Sequence, residues 1–132
     1  MGPIMHRMLV VDGDIETHKQ LQLVLTEFHV EAVDRGWLAL SELAERPVDV
    51  VVMEVHLPDM PGWVLSPQIH RIAADVPVIA VAEDDSWETS HRMRTEGSPL
   101  FYYALKPLDM REMAKAVRSA AQWRQRLTKG TS

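Results

Sequence analysis

Five largely apolar runs, each bounded by polar or turn-forming residues, set the pattern of this chain. The clearest lies in the stretch Asp49–Gly62, where four apolar residues precede Glu54 and a loop rich in Pro follows. A continuous apolar run of this length is typical of a strand buried on both faces of a parallel sheet. Comparable runs predict further strands at 8–11, 30–33, 77–82 and 100–105.

Apolar residues recur at helical spacing between these strands. The residues between Leu21 and Phe28 predict a first helix over 15–28, with Asp14 as its N-cap. In the third helix we expect Ser66 as N-cap and Pro67 as the first residue, because proline lacks the amide hydrogen that a helix interior needs. The remaining helices are predicted over 37–44, 86–96 and 109–127.

The alternation of strands and helices predicts an α/β fold. We expect a doubly wound, five-stranded parallel sheet in the order 2-1-3-4-5 with five helices, a flavodoxin-like arrangement. Residues 1–127 would form one domain, and residues 128–132 a tail or the start of a linker. In such sheets ligands bind at the carboxyl ends of the strands. The residues predicted to meet there are Asp12, Asp14, Glu54, His56, Ala82, Glu83 and Lys106.

Composition excludes several classes of function. A chain of 132 residues with a net charge of -5 lacks the basic footprint of a nucleic-acid-binding domain. The absence of cysteine excludes disulfides and thiol chemistry. The apolar runs are too short for a membrane span, and Met1–Arg7 lacks the apolar stretch of a signal peptide. A soluble, cytoplasmic domain is expected.

Four segments resemble the receiver domain of two-component response regulators: Leu9–Asp12, Asp49–Gly62, Pro77–Ala80 and Lys106–Leu108. They occur in the family's order and extend over essentially the whole chain. The resemblance implies a signalling module of a phosphorelay, not an enzyme, in which a histidine kinase phosphorylates an aspartate at the end of the third strand. It also implies two acids that hold magnesium, a Ser or Thr hydroxyl after the fourth strand, and a lysine after the fifth.

The chain departs from this pattern at three of the five chemical positions. Asp12 matches the first acid and Lys106 the lysine, but Gly13 replaces the second acid. Glu54 stands at the phosphoacceptor position and Ala82 at the hydroxyl position. Glutamate is one methylene longer than aspartate, and displacements of about 1 Å cost roughly a hundredfold where reacting groups must be positioned. We therefore expect a degenerate, pseudo-receiver domain that does not depend on phosphorylation.

The acidic pocket of Asp12, Asp14 and Glu83 is expected to bind magnesium weakly or not at all. Magnesium demands near-ideal octahedral coordination by oxygen, and Gly13 removes one oxygen ligand. The acid at Glu83 would repel an incoming phosphoryl dianion. No cofactor is therefore expected.

Two interpretations of Glu54 stay open. In the first, its carboxylate imitates a phosphoaspartate and holds the domain in an active-like conformation. In the second, Glu54 only supplies an acid that faces Lys106, because an unpaired buried lysine would be costly. A competing function is a phosphorylatable receiver with atypical site chemistry, which takes phosphate at a neighbouring side chain. A small-ligand or flavin site on the same fold is a third hypothesis, but no phosphate-cradling Gly-rich loop supports it.

Two further residues near the crevice are candidates for a role. His56 could join Asp12 and Glu54 in a weak transition-metal site, and Tyr103 stands where receivers often carry an aromatic switch. The other histidines, among them His70, are predicted to lie at the surface. The four tryptophans are expected in core or interface packing.

The expected partners follow from the same resemblance. The face made by the fourth helix, fifth strand and fifth helix would bind a protein partner, an output domain or a second copy in a homodimer. A histidine kinase is a further possible partner, whereas no direct contact with nucleic acid or membrane is expected.

Overall fold

Five strands alternate with five helices in the computed structural model, which describes residues 6–130 and the side chains of residues 6–127. The strands are β1 (His6–Val11), β2 (Phe28–Val33), β3 (Val50–Glu54), β4 (Val78–Ala82) and β5 (Tyr102–Leu105). The helices are α1 (Ile15–Val24), α2 (Gly36–Glu45), α3 (Gly62–Ile72), α4 (Trp87–Thr95) and α5 (Met110–Gly130).

All strand pairs of the sheet are parallel, and the strand order is β2-β1-β3-β4-β5, as the sequence predicts. In this register Val11 lies beside Met53, and Ala82 lies beside Leu105. The strands therefore end at nearly the same level. The residues at their carboxyl ends are brought to one edge of the sheet, where the candidate site lies.

Alternate side chains of each central strand enter two separate core layers, because successive strand residues point to opposite faces. Met8 of β1 packs in the layer beneath α1 and α5, together with Leu21 and Val117. Leu9 packs in the layer beneath α2, α3 and α4, together with Leu65. Burial on both faces explains why the strands read as continuous apolar runs.

The first predicted helix is too long by four residues. α1 ends at Val24, Leu25 is its C-cap, and Phe28 already begins β2. Leu21, Leu25 and Phe28 are nonetheless all buried in the same core layer. The helical spacing thus continues past the helix end, because the turn into β2 faces the same core.

The predicted start of α3 is wrong. The helix begins at Gly62 with Pro61 as N-cap, and Pro67 lies inside it. A Cβ at Gly62 would lie 2.9 Å from Met53 Cε, so the helix starts in close contact with β3. The buried Ser66 hydroxyl does not cap the helix and instead accepts a hydrogen bond from the Ser98 backbone N–H at 3.1 Å.

The two last helices differ in how firmly they are packed. α4 begins after its N-cap Ser86, whose hydroxyl accepts the Thr89 N–H, and buries only Thr89 and Met93. α5 begins after Asp109, whose carboxylate accepts two backbone N–H groups, and it contributes a row of buried Met, Ala and Val side chains. α5 continues to Gly130, so the predicted tail at 128–132 begins within the helix, and residues 131–132 lie outside the described residues. Over the described range, none of the helices has the length and apolarity to cross a membrane.

Candidate functional site

Lys106 lies at the centre of the crevice formed by the strand ends. Its Nζ is 2.9 Å from Asp12 Oδ2, 3.3 Å from Glu54 Oε2 and 3.6 Å from Asp14 Oδ2. Asp12 follows β1, Glu54 ends β3 and Lys106 follows β5. The structure therefore joins four of the seven residues that the sequence places at this edge in one ion-paired cluster.

Three of these charged side chains are largely buried. The side chains of Asp12, Glu54 and Lys106 are 5%, 7% and 13% exposed, whereas that of Asp14 is 46% exposed. Asp12 Oδ1 accepts the Asp14 backbone N–H at 2.9 Å, and Glu54 Oε1 accepts the His56 N–H at 3.3 Å. The second oxygen of each carboxylate and Lys106 Nζ have no aligned hydrogen bond within residues 6–127. Lys106 Nζ therefore lies between the two buried carboxylates, within ion-pair distance of both.

Burial and neighbouring charge change the acidity of both partners of the central pair. Burial raises the pKa of Glu54 above its ordinary value of 4.5, although the His56 N–H and Lys106 lower it in part. Burial lowers the pKa of Lys106, but Asp12 and then Glu54 outweigh that effect, so the pKa lies above 10.5. Lys106 is thus held as a cation between two carboxylates.

Two positions lack the groups that phosphoryl chemistry uses in the receiver pattern. Ala82 is fully buried and presents a methyl group in place of a hydroxyl. Nothing lies within 4 Å of a Cβ built on Gly13, so the place of the second acid is open space. Glu83 is exposed and lines a cavity of about 430 Å³ with Asp14 and Lys106, but it is not in the ion-paired cluster.

His56 makes a contact that the sequence did not reveal. Its Nε2 lies 3.1 Å from the hydroxyl of Thr89, a buried residue of α4, and its ring meets Trp63 edge-on at 5.9 Å between centroids. The only sequence signal for Thr89 is its place four residues before Met93, on the same helical face. No group of three His, Cys, Asp or Glu side chains in the described part of the chain is arranged to hold a metal ion, and the weak transition-metal site at Asp12, Glu54 and His56 stays a prediction.

Tyr103 is half-buried and packs against the core layer beneath α2, α3 and α4. Burial, and then the charges of Asp84, Asp85 and Glu54, raise the pKa of its phenol above 10.0. Glu54 is therefore close enough to influence Tyr103 electrostatically. Its role as an aromatic switch stays a prediction.

Two tryptophans lie at the surface, whereas His70 is partly buried. Trp37 and Trp87 are 56% and 71% exposed, so neither packs in the core, and interface packing stays the prediction for both. His70 is not a free surface residue, because its two ring nitrogens bond the Ser98 hydroxyl and the Val76 carbonyl oxygen. These bonds attach the segments before β4 and before β5 to α3.

Comparison with known proteins identifies the same kind of domain. The family model described as "Response regulator receiver domain" matches residues 8–118. The two-component response regulator ORR23 of Oryza sativa subsp. indica is 31% identical over 115 residues, which is 84% of this chain and 16% of that protein. The two-component response regulator ARR11 of Arabidopsis thaliana is 35% identical over 116 residues, or 85% of this chain and 22% of that protein. The chain thus spans about a fifth, or less, of the length of these relatives.

Solved structures agree with the sheet order. The signal receiver domain of an HD domain-containing protein from Pseudomonas fluorescens Pf-5 superposes with a TM-score of 0.83 at 27% identity, covering 92% of this chain and 98% of that one. A CheY-like response regulator receiver domain protein from Methanospirillum hungatei JF-1 gives a TM-score of 0.82 at 21% identity, covering 93% and 98%. The second likeness concerns the fold alone.

Proposed function

The chain belongs to the response regulator receiver domain family, and we propose that it is a receiver of the pseudo-receiver type, whose state does not depend on phosphorylation. It would act in two-component signalling, by binding a protein or by controlling an output domain. The observation that carries this proposal is the position of Lys106 Nζ, 2.9 Å from Asp12 and 3.3 Å from Glu54.

The occupied lysine argues against the acceptance of a phosphoryl group. Glu54 at the acceptor position is already paired with the cation that would neutralise an incoming phosphoryl group. A phosphoryl group carries nearly two negative charges, and it would enter beside the buried carboxylate of Asp12 with no hydroxyl at Ala82 to bind it. The charge and the hydrogen-bonding groups of the crevice both oppose the transfer.

Magnesium would bind weakly or not at all in this arrangement. The open space at Gly13 stands where the receiver pattern has a second acid. Asp12 and Glu54 would also have to release Lys106 to coordinate a metal. Magnesium keeps strict octahedral geometry and gives up its own water reluctantly, so a site short of one carboxylate is unfavourable.

The surface through which such a module would act is the face of α4, β5 and α5. Tyr102 and Leu105 of the edge strand β5 are 38% and 41% exposed, and Trp87 projects from α4. A protein partner, an output domain or a second copy could cover this face, and a histidine kinase could dock on the same domain. We place this non-enzymatic module in the cytoplasm, where two-component phosphorelays operate.

Intact mass measurement after treatment with magnesium and acetyl phosphate tests the proposal. We expect the mass of the wild-type chain to stay unchanged. A gain of one phosphoryl group would support the competing hypothesis of a receiver with atypical site chemistry. Peptide mapping would then show whether Glu54 or a neighbour such as His56 carries it.

A further inference from the structure

Of the three helices that cover the core layer of Leu9 and Leu65, α4 has fewer buried residues than either α2 or α3. Only Thr89 and Met93 are buried, and its other residues are half-exposed or exposed. Helices with few buried apolar contacts open at low free energy, so single anchoring contacts matter most there. The position of α4 therefore depends on what Thr89 and Met93 touch.

The two anchors of α4 face the beginning of α3 and the loop before it. Met93 Sδ would lie 3.3 Å from a Cβ built on Gly62, so this side chain packs against the start of α3. The Thr89 hydroxyl lies 3.1 Å from His56 Nε2. Of these two contacts, only that of Thr89 is polar and directional, and its partner is two residues from Glu54 in sequence.

His56 contacts the acidic site through its backbone and α4 through its ring. Its N–H donates to Glu54 Oε1 at 3.3 Å, while its Nε2 bonds Thr89. The ring is held in place by the edge-on contact with Trp63, and the guanidinium of Arg92, also on α4, lies 5.2 Å from the centre of the Trp63 ring. A continuous chain of contacts therefore leads from Lys106 to α4. It runs through the Glu54 carboxylate, the backbone N–H and then the ring of His56, and the hydroxyl of Thr89.

We infer that His56 is a positioning residue that couples the Glu54–Lys106 pair to α4 through its bond to Thr89. The inference rests on the proposed function, because it gives the domain a permanent connection between the acidic site and α4. A phosphorylatable receiver would make that connection only when it carries a phosphoryl group. In the receiver pattern, a hydroxyl at the place of Ala82 carries the signal from the site. Here Ala82 has no polar group, and the His56–Thr89 bond connects the same two regions along another route.

The experiment uses Glu54→Gln as the perturbation at the site and reads α4 by NMR amide shifts and hydrogen exchange. Thr89→Val removes the hydroxyl at nearly constant volume, and His56→Phe removes the nitrogen while keeping a ring beside Trp63. Thr95→Val is the matched control, because the Thr95 hydroxyl lies on the same helix but bonds only the His91 carbonyl oxygen.

We expect Thr89→Val and His56→Phe each to speed exchange of α4 amides about three- to tenfold, and the double variant to match the single ones, since both remove one bond. We also expect Glu54→Gln to change the NMR shifts of the α4 amides in the wild-type and Thr95→Val backgrounds. In the Thr89→Val and His56→Phe backgrounds, which lack the bond, the change should be less than half as large. Equal shifts in all four backgrounds would overturn the inference, as would additive effects of the two variants on exchange. Because no phosphodonor is used, this outcome is independent of whether the chain is phosphorylated.

Discussion

Lys106 Nζ lies 3.3 Å from Glu54 Oε2, although β3 and β5, at whose ends the two residues stand, are not neighbours in the sheet. Glu54 ends β3 and Lys106 follows β5, with β4 between them. β4 ends on Ala82, whose carbonyl oxygen accepts the Lys106 backbone N–H at 2.8 Å. Two long side chains therefore form an ion pair beyond the end of the intervening strand.

Removal of the cation should destabilise the domain. Lys106→Met leaves the buried carboxylates of Asp12 and Glu54 without their shared counter-ion, and breaking a buried ion pair by removing one partner costs about 3 kcal/mol or more. Urea unfolding at neutral pH measures this loss. Lys115→Met is the matched control, because Lys115 is exposed on α5, and we expect it to change the free energy of unfolding by less than about 0.5 kcal/mol.

The loss of stability in Lys106→Met should depend on Glu54. Adding Glu54→Gln to Lys106→Met removes one of the two uncompensated charges, so the double variant should recover about 1–2 kcal/mol relative to Lys106→Met alone. A double variant with the summed destabilisation of the two single variants would show that Lys106 and Glu54 do not interact.

The raised pKa of Glu54 predicts a pH dependence with a definite sign. The folded chain holds the Glu54 proton more tightly than the unfolded chain does, so stability falls as pH rises from about 4.5 through the folded-state pKa. Glu54→Gln lacks this titration. We therefore expect the stability of Glu54→Gln relative to wild type to increase between pH 4.5 and pH 7, as measured by urea unfolding. A difference that stays constant or decreases would contradict the assignment.

The sheet could be predicted because each central strand carries its own signal. Residues such as Met8 and Leu9 enter opposite core layers, so the strand reads as one apolar run whatever its neighbours are. The end of α1 could not be predicted from the sequence. Phe28 lies at helical spacing from Leu21 and is buried in the same layer, although it belongs to β2. A periodic pattern reports which core a residue faces and not where the backbone changes conformation.

The members of the charged cluster could be predicted for a related reason. Asp12, Glu54 and Lys106 stand at the ends of apolar runs, and the parallel strand order brings those ends together. The bond between His56 and Thr89 could not be predicted, because it depends on which way a loop side chain turns and how a weakly packed helix lies. Neither the orientation of the His56 side chain nor the position of α4 can be inferred from the spacing of residues in the sequence.

Magnesium should not bind to the wild-type chain with useful affinity. Trp63 is a suitable reporter, because its ring contacts His56, which adjoins the acidic site. We expect no saturable change in tryptophan fluorescence at sub-millimolar magnesium, because Gly13 leaves the site one oxygen ligand short. Gly13→Asp should increase the response, and Glu45→Gln, which changes an exposed acid at the end of α2, serves as the control. Saturable quenching of the wild-type chain would refute the weak-binding prediction.

Phosphorylation should return only when all three missing groups are restored. Gly13→Asp supplies the absent metal ligand and meets no atom within 4 Å at its Cβ, so the backbone has room for it. Glu54→Asp moves the nucleophilic oxygen back by one methylene and away from Lys106, and Ala82→Thr supplies the hydroxyl. Because groups that act as one unit are strongly non-additive, we expect each single variant to stay inert and the triple variant to gain one phosphoryl mass with magnesium and acetyl phosphate. Ala82→Thr adds volume at a fully buried site, so the unfolding midpoint of the triple variant must be measured alongside. An inert but folded triple variant would mean that other residues of the crevice, such as the exposed Glu83, also oppose the reaction.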